Sequence, residues 1–339
     1  MDSLTQLTLG SAVAAAVLAK TPGSRAKVVL TGAVLGTLPD LDVIIDYGDA
    51  VSNMVLHRTQ SHAFFYQTLA APLLAWLAAL CCGQRAHYWR WLLATWLILI
   101  SHTLIDAMTI YGTQFGLPFT NTPYAVGSMF IIDPLYTLPL IAGVLYYLFG
   151  HRRGYQLNMV MLSLSSLYLL WSVAAQWHVR QVVSVSLQQQ QLQYQQLLVT
   201  PAPLNTVLWR IVVMSEHGYG EGFYSLLDNK ANVQLHWVEQ DPALKQRYGM
   251  LKPVQQLAWF SQGFYALEQQ GDSLLLTDLR MGQEGSYAFV FKLDPTDASA
   301  PQQLPMRRDA VKALPWLWQR MRGTPLPSPY ISAALTANQ

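Results

Sequence analysis

Three short stretches carry side chains that can bind a metal ion or move protons. Leu38-Pro39-Asp40-Leu41-Asp42 offers two carboxylates two positions apart. In an extended chain such residues face the same way and could address one ion. His57-Arg58-Thr59-Gln60-Ser61-His62 adds two imidazoles and a guanidinium. His102-Thr103-Leu104-Ile105-Asp106 sets an imidazole and a carboxylate four apart, on one helix face and about 6 Å apart at Cβ. Oxygen and imidazole donors without thiolates suit Zn first, with Mn, Mg, Fe or Ni as alternatives. The six candidates, Asp40, Asp42, His57, His62, His102 and Asp106, suffice for one ion with an open position or two sharing a carboxylate. The chemistry this suggests is hydrolysis. A bound water would lose its proton near neutral pH, Asp106 or Asp42 would act as general base, and Arg58 would stabilise charge on a phosphoryl or ester oxygen. Each stretch also has a structural reading. Pro-Asp makes turns, His102 and Asp106 can pair between helices, and Arg58 can snorkel to headgroups.

The elements that must position these groups are apolar. Of 339 residues, 52% are hydrophobic and only 12% charged, about half the usual charged share. A net charge of +2 argues against a dedicated nucleic-acid binder. The average hides a split: residues 1–176 carry eight Lys/Arg, seven Asp and no Glu, whereas 177–339 carry thirteen Lys/Arg and twelve Asp/Glu. Six apolar segments mark the first part: Leu4–Ala19, Val28–Leu38, Ala63–Leu80, Trp91–Ile105, Leu135–Phe149 and Met159–Ala175. Against a span of about 20 residues, with about 17 as the lower limit, only the third and sixth pass; the first, fourth and fifth are marginal. The second is shorter still and carries Gly32-Ala33-Val34-Leu35-Gly36, a close-packing pattern. Its alternative reading is a glycine before a Leu38-Pro39 breaker.

Connections alternate in charge. Lys20, Arg25 and Lys27 follow the first segment, Arg85 and Arg90 the third, Arg152 and Arg153 the fifth; the others hold mostly Asp. The positive-inside rule puts the basic loops in the cytoplasm. Both termini and all six candidate ligands then fall on the outer side. No basic region precedes the first segment, so a cleaved signal peptide is not expected. The adjacent Cys81 and Cys82 fall on the reducing side, where free thiols are ordinary. His87 and His151 sit in the basic loops, and His178, His217 and His236 lack ligand spacing, so all five read as non-ligands.

Beyond Ala175, Val183, Leu187, Tyr194 and Leu198 recur at helical spacing through a Gln-rich stretch, an amphipathic stalk. Past Pro201 and Pro203 come strand-like runs at Val207–Met214, Phe223–Leu227, Gly263–Leu267, Leu274–Leu279 and Tyr287–Leu293. Helical patterns lie near Pro253–Phe260 and Asp309–Met321. Asp278-Leu279-Arg280 reads as a salt-bridged turn, with a substrate contact as the sharper alternative. The expected organisation is a helical membrane bundle of five or six segments over 1–176, a stalk over 177–200, and a small soluble α+β domain over 201–339 outside the membrane.

The ordered motifs resemble the membrane-bound metal-dependent hydrolase family (YdjM-like, described as inner-membrane associated and LexA-binding). The resemblance rests on Met1-Asp2-Ser3-Leu4-Thr5-Gln6, Gly36-Thr37-Leu38-Pro39-Asp40-Leu41-Asp42, His57-Arg58 with Ser61-His62, and His102 to Asp106. It continues through Tyr111-Gly112-Thr113-Gln114, Ile132-Asp133-Pro134-Leu135-Tyr136 and Thr277 to Gly282. The family is distantly similar to zinc-dependent phospholipase C, which implies a helical His/Asp metal site. Many members read Thr-His where this chain has Thr5-Gln6, which takes away one ligand candidate.

The leading expectation is a multi-pass hydrolase of the inner, or plasma, membrane. It would hold one or two divalent ions at its outer face and act on ester or phosphoester bonds of lipid or lipid-linked substrates. A metal-binding or transport protein without hydrolysis is the second reading; it would need an ion path, yet no acidic group marks the inner ends of the segments. A structural or regulatory membrane protein is the third. No nucleotide-binding loop, nucleophile elbow or paired CxxC motif is present.

Overall fold

The computed structural model describes residues 1–150, 153–229, 232–296, 300–306 and 310–328, without the side chains of 310–312. His151, Arg152 and Asp309 lie outside the described residues. The first part is helical: α1 (Ser3–Leu18), α2 (Arg25–Thr37), α3 (Ala50–Leu56), α4 (Phe64–Cys81), α5 (Tyr88–Ala107), α6 (Pro134–Phe149) and α7 (Gly154–Gln189). The second is rich in sheet, so the chain is a helical half followed by a β-rich one. It divides into two compact units. One comprises Met1–Ile44, His57–Val173 and Pro203–Asn205; the other Ile45–Leu56, Ala174–Ala202 and Thr206–Gln339.

In the first unit, α1 is the central helix. Asp2 caps its start, accepting from the Thr5 N–H at 3.1 Å. Its buried residues, among them Leu9, Ala12, Ala14, Ala15 and Leu18, lie all around the helix, the pattern of one enclosed by others. α2, α5 and α6 pack against it. The α1–α2 seam is built from glycines. A Cβ on Gly10 would lie 2.3 Å from the Gly32 carbonyl, and one on Gly36 2.6 Å from the Gln6 carbonyl. No real Cβ tolerates such contacts, so the Gly32–Gly36 pair serves close approach and not only helix termination. Cys81 and Cys82 are free.

The expectation of five or six membrane segments is corrected. Among the described residues, two helices are long and apolar enough to cross a bilayer, Phe64–Cys81 and Gly154–Gln189. These are the two segments that passed the length criterion in the sequence. Physical length explains most of the difference. At about 1.5 Å per residue, the 16 residues of α1 and of α6 and the 13 of α2 fall short of a core about 30 Å thick. The 20-residue α5 is long enough, but Arg90, His102 and Asp106 lower its hydropathy. On α4, Leu69 and Leu73 are more than 60% exposed, as a lipid-facing side would be.

The second unit holds a four-stranded antiparallel meander of β1 (Gln196–Pro201), β2 (Leu208–Ser215), β3 (Gly218–Ser225) and β4 (His236–Glu239). After α8 (Pro242–Tyr248) and α9 (Lys252–Phe260) come β5 (Tyr265–Gln270) and β6 (Ser273–Asp278), a short hairpin of β7 (Gly282–Gln283) and β8 (Ser286–Tyr287), then β9 (Val290–Leu293), β10 (Gln302–Gln303) and α10 (Ala310–Met321). A second sheet has the order β10-β9-β6-β5. The residues expected as a stalk form the end of α7 and the first strand. Ala175, Val179, Val183 and Leu187 recur every fourth residue along that helix and pack on Trp209, Ile211 and Val213 of β2. The opposite face of β2 sets Val212 and Met214 against Phe264, Leu279 and Tyr287. With both faces covered, β2 reads as a continuous apolar run interrupted by Arg210. That guanidinium is buried and held at two of its nitrogens: its Nη2 donates to Glu221 at 2.6 Å and its Nη1 to the Leu279 carbonyl at 2.9 Å. Asp278 and Arg280 form a buried forked salt bridge, closest at 2.7 Å, with the guanidinium over Phe260. This is the structural turn expected from the sequence.

Residues 45–56 belong to the second unit, which nothing in the sequence foretold. Val51, Met54 and Val55 are buried, α3 packs on α9, and the Gln256 amide donates to Ser52 Oγ at 3.4 Å.

The glycine seam yields a test. Gly36→Val should push α2 off α1 and destabilise the protein by about 1–3 kcal/mol, the usual cost of overpacking, seen as a lower thermal midpoint in detergent. Val34→Ala on the exposed face of α2 should leave it nearly unchanged.

Candidate metal centre

Four of the six expected ligands converge. Asp40, His62, His102 and Asp106 each turn one donor atom inward, and these atoms lie within 4.8 Å of one another. Asp40 comes from a 3-10 helix, Leu38–Ile44, that continues α2. His62 closes a second 3-10 turn, Gln60–His62, just before α4. His102 and Asp106 occupy successive turns at the end of α5. The nearest donor separations are 3.1 Å between the two Nε2 atoms, 3.4 and 3.6 Å from Asp40 Oδ1 to His62 and His102, and 3.2 and 3.3 Å from Asp106 Oδ2 to the same rings. Ligands bound to a small ion at about 2.0–2.2 Å in a tetrahedron stand about 3.3–3.6 Å apart. Five of the six separations, at 3.1–3.6 Å, lie close to that spacing, and all six lie within 4.8 Å.

The hydrogen bonds around the rings fix which nitrogens face inward. The Gly36 carbonyl can only accept, so His102 Nδ1, 2.7 Å away, carries a proton, and in the neutral ring its Nε2 presents a lone pair. Ser61 Oγ donates to Asp42 Oδ2 at 2.7 Å and is therefore free to accept from His62 Nδ1 at 2.8 Å. His62 Nε2 thus also presents a lone pair. Two lone pairs 3.1 Å apart repel unless a cation stands among them. Asp40 Oδ1 and Asp106 Oδ2 are buried there without a well-angled hydrogen bond, a costly arrangement for carboxylates. A proton on one ring relieves a single contact; a divalent ion satisfies all four donors. The cluster could hold a metal ion, and its N₂O₂ donor set fits one.

Asp42 and His57 stand beside the four. The 3-10 helix at Leu38–Ile44 turns residues two apart roughly 240° from one another, so Asp42 does not follow Asp40 into the cluster. Asp42 Oδ2 accepts from the Arg58 N–H at 2.9 Å as well as from Ser61. Its Oδ1 is 2.8 Å from His57 Nδ1, off the line of a good hydrogen bond. Asp42 therefore orients His62 through Ser61 and holds His57. The His57 ring is 6.1 Å from that of His62, and its side chain is 18% exposed. Burial raises the Asp42 carboxyl, but the nearby His57 ring and the bond from Ser61 outweigh it and hold it below the usual carboxylate value. Asp40 behaves alike: burial raises it, and His102 and His62 bring it lower still.

Arg58 is buried and adopts φ +63°, a left-handed conformation that costs a non-glycine residue about 1–2 kcal/mol. Its backbone is pinned on both sides, by Asp42 and by the Gln114 N–H, which donates to its carbonyl at 3.0 Å. Its guanidinium lies over the Tyr111 ring at 4.9 Å. Its Nη2 is 3.3 Å from Asp106 Oδ1, the oxygen that also meets the Met1 ammonium. Asp106 thus divides its oxygens, one toward cations and one toward imidazoles.

Several supports escaped the sequence. The Gly36 carbonyl and the Gln114 N–H are backbone groups that side-chain spacing does not reveal. Gln6 is buried and donates to the His102 carbonyl at 3.3 Å. Gln67 ties the Ser61 carbonyl to Thr103 Oγ1 at 2.9 and 2.7 Å. Ser61 carried a signal as the residue preceding His62, and Gln6, Gly36 and Gln114 stood in the motifs quoted above without a role in the centre assigned.

The sequence profile described as YdjM inner membrane protein matches residues 1–179, more than half the chain. The chain is also 23% identical over 309 residues to a Bacillus subtilis (strain 168) protein named "Uncharacterized protein YfhP", covering 86% of this chain and 90% of the relative. No solved structure matches.

The Ser61 bridge makes the geometry testable. Ser61→Ala should weaken divalent-ion binding by roughly 10–100-fold, as loss of an outer partner of a ligand does. Competition with a chromophoric chelator measures it, and an unaltered affinity would show that Asp42 does not orient His62.

Proposed function

The chain belongs to the YdjM inner membrane protein family; on that premise we propose that it is a metal-dependent hydrolase of the inner membrane. The observation that carries this reading is the convergence of Asp40, His62, His102 and Asp106, with the outer nitrogen of each ring held by a hydrogen bond and the inner one turned to the cluster. These four would hold one divalent ion, zinc first by donor type, with Mn, Mg, Fe or Ni as alternatives. When bound, the ion supplies Lewis acidity and makes water a stronger acid. Gly36 and the Ser61–Asp42 pair keep the rings in register. The base expected at Asp42 or Asp106 is better placed at His57. Asp106 is wholly buried among cations and imidazoles, and Asp42 spends Oδ2 on the Arg58 N–H and Ser61 and turns Oδ1 to His57, whereas His57 is partly open. Arg58 would face charge developing on the substrate. Substrates with ester or phosphoester bonds, borne on lipids, suit a site in an inner membrane protein.

Charge supports an outer placement. His62 precedes the start of α4, whose far end leads to Arg85 and Arg90, and Arg153 precedes α7. Two crossings keep the basic ends in the cytoplasm and put the metal centre and the β-rich part outside. A metal-binding protein without turnover is the rival reading, and the half-open His57 favours hydrolysis over it.

His102→Ala and Asp106→Ala should lose bound metal together with turnover of ester or phosphoester probes, as should wild type treated with chelator; re-addition of zinc should restore only wild type. Turnover undiminished in both variants would rule the reading out. For the orientation, a reporter active only in the cytoplasm and fused after Gln339 should stay silent.

A further inference from the structure

Arg58 has more hydrogen-bonding capacity than its surroundings use. Its residue exposure is 4%, yet Nε and Nη1 have no hydrogen-bond acceptor among the described residues. Only Nη2 has an anionic neighbour, Asp106 Oδ1 at 3.3 Å. Buried charged donors without acceptors are costly, and this one is also held in a left-handed backbone conformation by Asp42 and Gln114. A strained residue fixed from both sides, with its free edge unmatched, is the pattern of a prepared binding position. Tyr111 covers one face of the guanidinium, and in its plane the fork matches oxyanions.

Resting on the hydrolase reading above, we infer that Arg58 is the anion subsite of this centre and that the substrate is a phosphate ester, not a carboxylic ester or an amide. Asp106 links the two halves of the argument. Its Oδ1 faces Arg58 and its Oδ2 faces both imidazoles, so whatever Arg58 holds lies one carboxylate's width from the metal donors. A phosphoryl group has several oxygens and can engage the Arg58 fork and the metal centre at once. A carboxylic ester or amide has a single carbonyl oxygen and carries no charge for the fork. Hydrolysis of the ester breaks the P–O bond: water supplies hydroxyl to phosphorus, and the leaving alcohol takes a proton. Leu41, Val43 and Ile44, exposed beside Asp40 and Asp42, offer an apolar rim for an ester borne on a lipid.

The test uses the full chain in detergent micelles, loaded with zinc, and inorganic phosphate as the probe. Phosphate should bind saturably, read by ³¹P line broadening and by calorimetry. Arg58→Gln should weaken it by roughly 10–100-fold, the loss expected for charge-assisted hydrogen bonds, and Arg58→Lys should recover only part. Zinc content of both variants should equal wild type; this separates failure of the subsite from failure of the metal reading. Should the variants not fold, phosphate should protect Arg58 of wild type from phenylglyoxal, read by mass spectrometry. Dioleoyl phosphatidic acid and phenyl phosphate as competitors distinguish a lipid-borne from a soluble ester by which displaces phosphate at lower concentration. Zinc-loaded wild type that binds no phosphate, or Arg58→Gln that binds it as tightly as wild type, would overturn the proposal.

Discussion

Two imidazole nitrogens and two carboxylate oxygens meet inside an apolar helical unit, and the rest of that unit is arranged around the cost of this meeting. Like-charged and lone-pair groups brought together without water repel, and the protein does not let them relax apart. His102 is tied to the Gly36 carbonyl, His62 to Ser61 and Asp42, and Asp106 to Arg58. Each tie comes from a different element, so the strain cannot be relieved by moving one loop. The arrangement therefore favours a cation over any rearrangement of the protein.

The glycine seam is what lets these ties reach. Gly36 lies where α2 touches α1 backbone to backbone, with Gly10 beside it. The same residue lends its carbonyl to His102 from the end of α2. A side chain there would move the carbonyl as well as the helix. Packing and site chemistry thus depend on one missing Cβ. The central helix α1 contributes in the same way, since Gln6 on it braces the backbone of His102.

How much of this could be read from the residues varied with the kind of contact. His102 and Asp106 were legible because helical periodicity applies wherever a helix is certain. Asp40 and Asp42 were read as an extended pair, and the 3-10 geometry of Leu38–Ile44 splits them into one inward carboxylate and one outer support. Backbone partners such as Gly36 O and Gln114 N–H leave no trace in residue type. The number of crossings was overread because apolar character is shared by lipid-facing helices and by a helix like α1 that is buried by its neighbours. In the β-rich part the strands at Leu208–Ser215 and Ser273–Asp278 were plain, because alternating or continuous apolar runs of five to eight residues have few other uses. β1 was masked by the Gln-rich stretch before it.

The excursion over residues 45–56 has a consequence in time. Asp42 and His57, 2.8 Å apart, form the neck of a loop whose body packs on α9, and its contact from Ser52 to Gln256 spans 204 positions in the chain. At a synthesis rate of about 5–20 residues per second, roughly 10–40 s separate the appearance of the two partners. Through that interval Val51, Met54 and Val55 are made but lack the surface that will cover them. The two stretches 38–44 and 57–62 are therefore joined by a segment whose covering surface is made only once α9 has been synthesised.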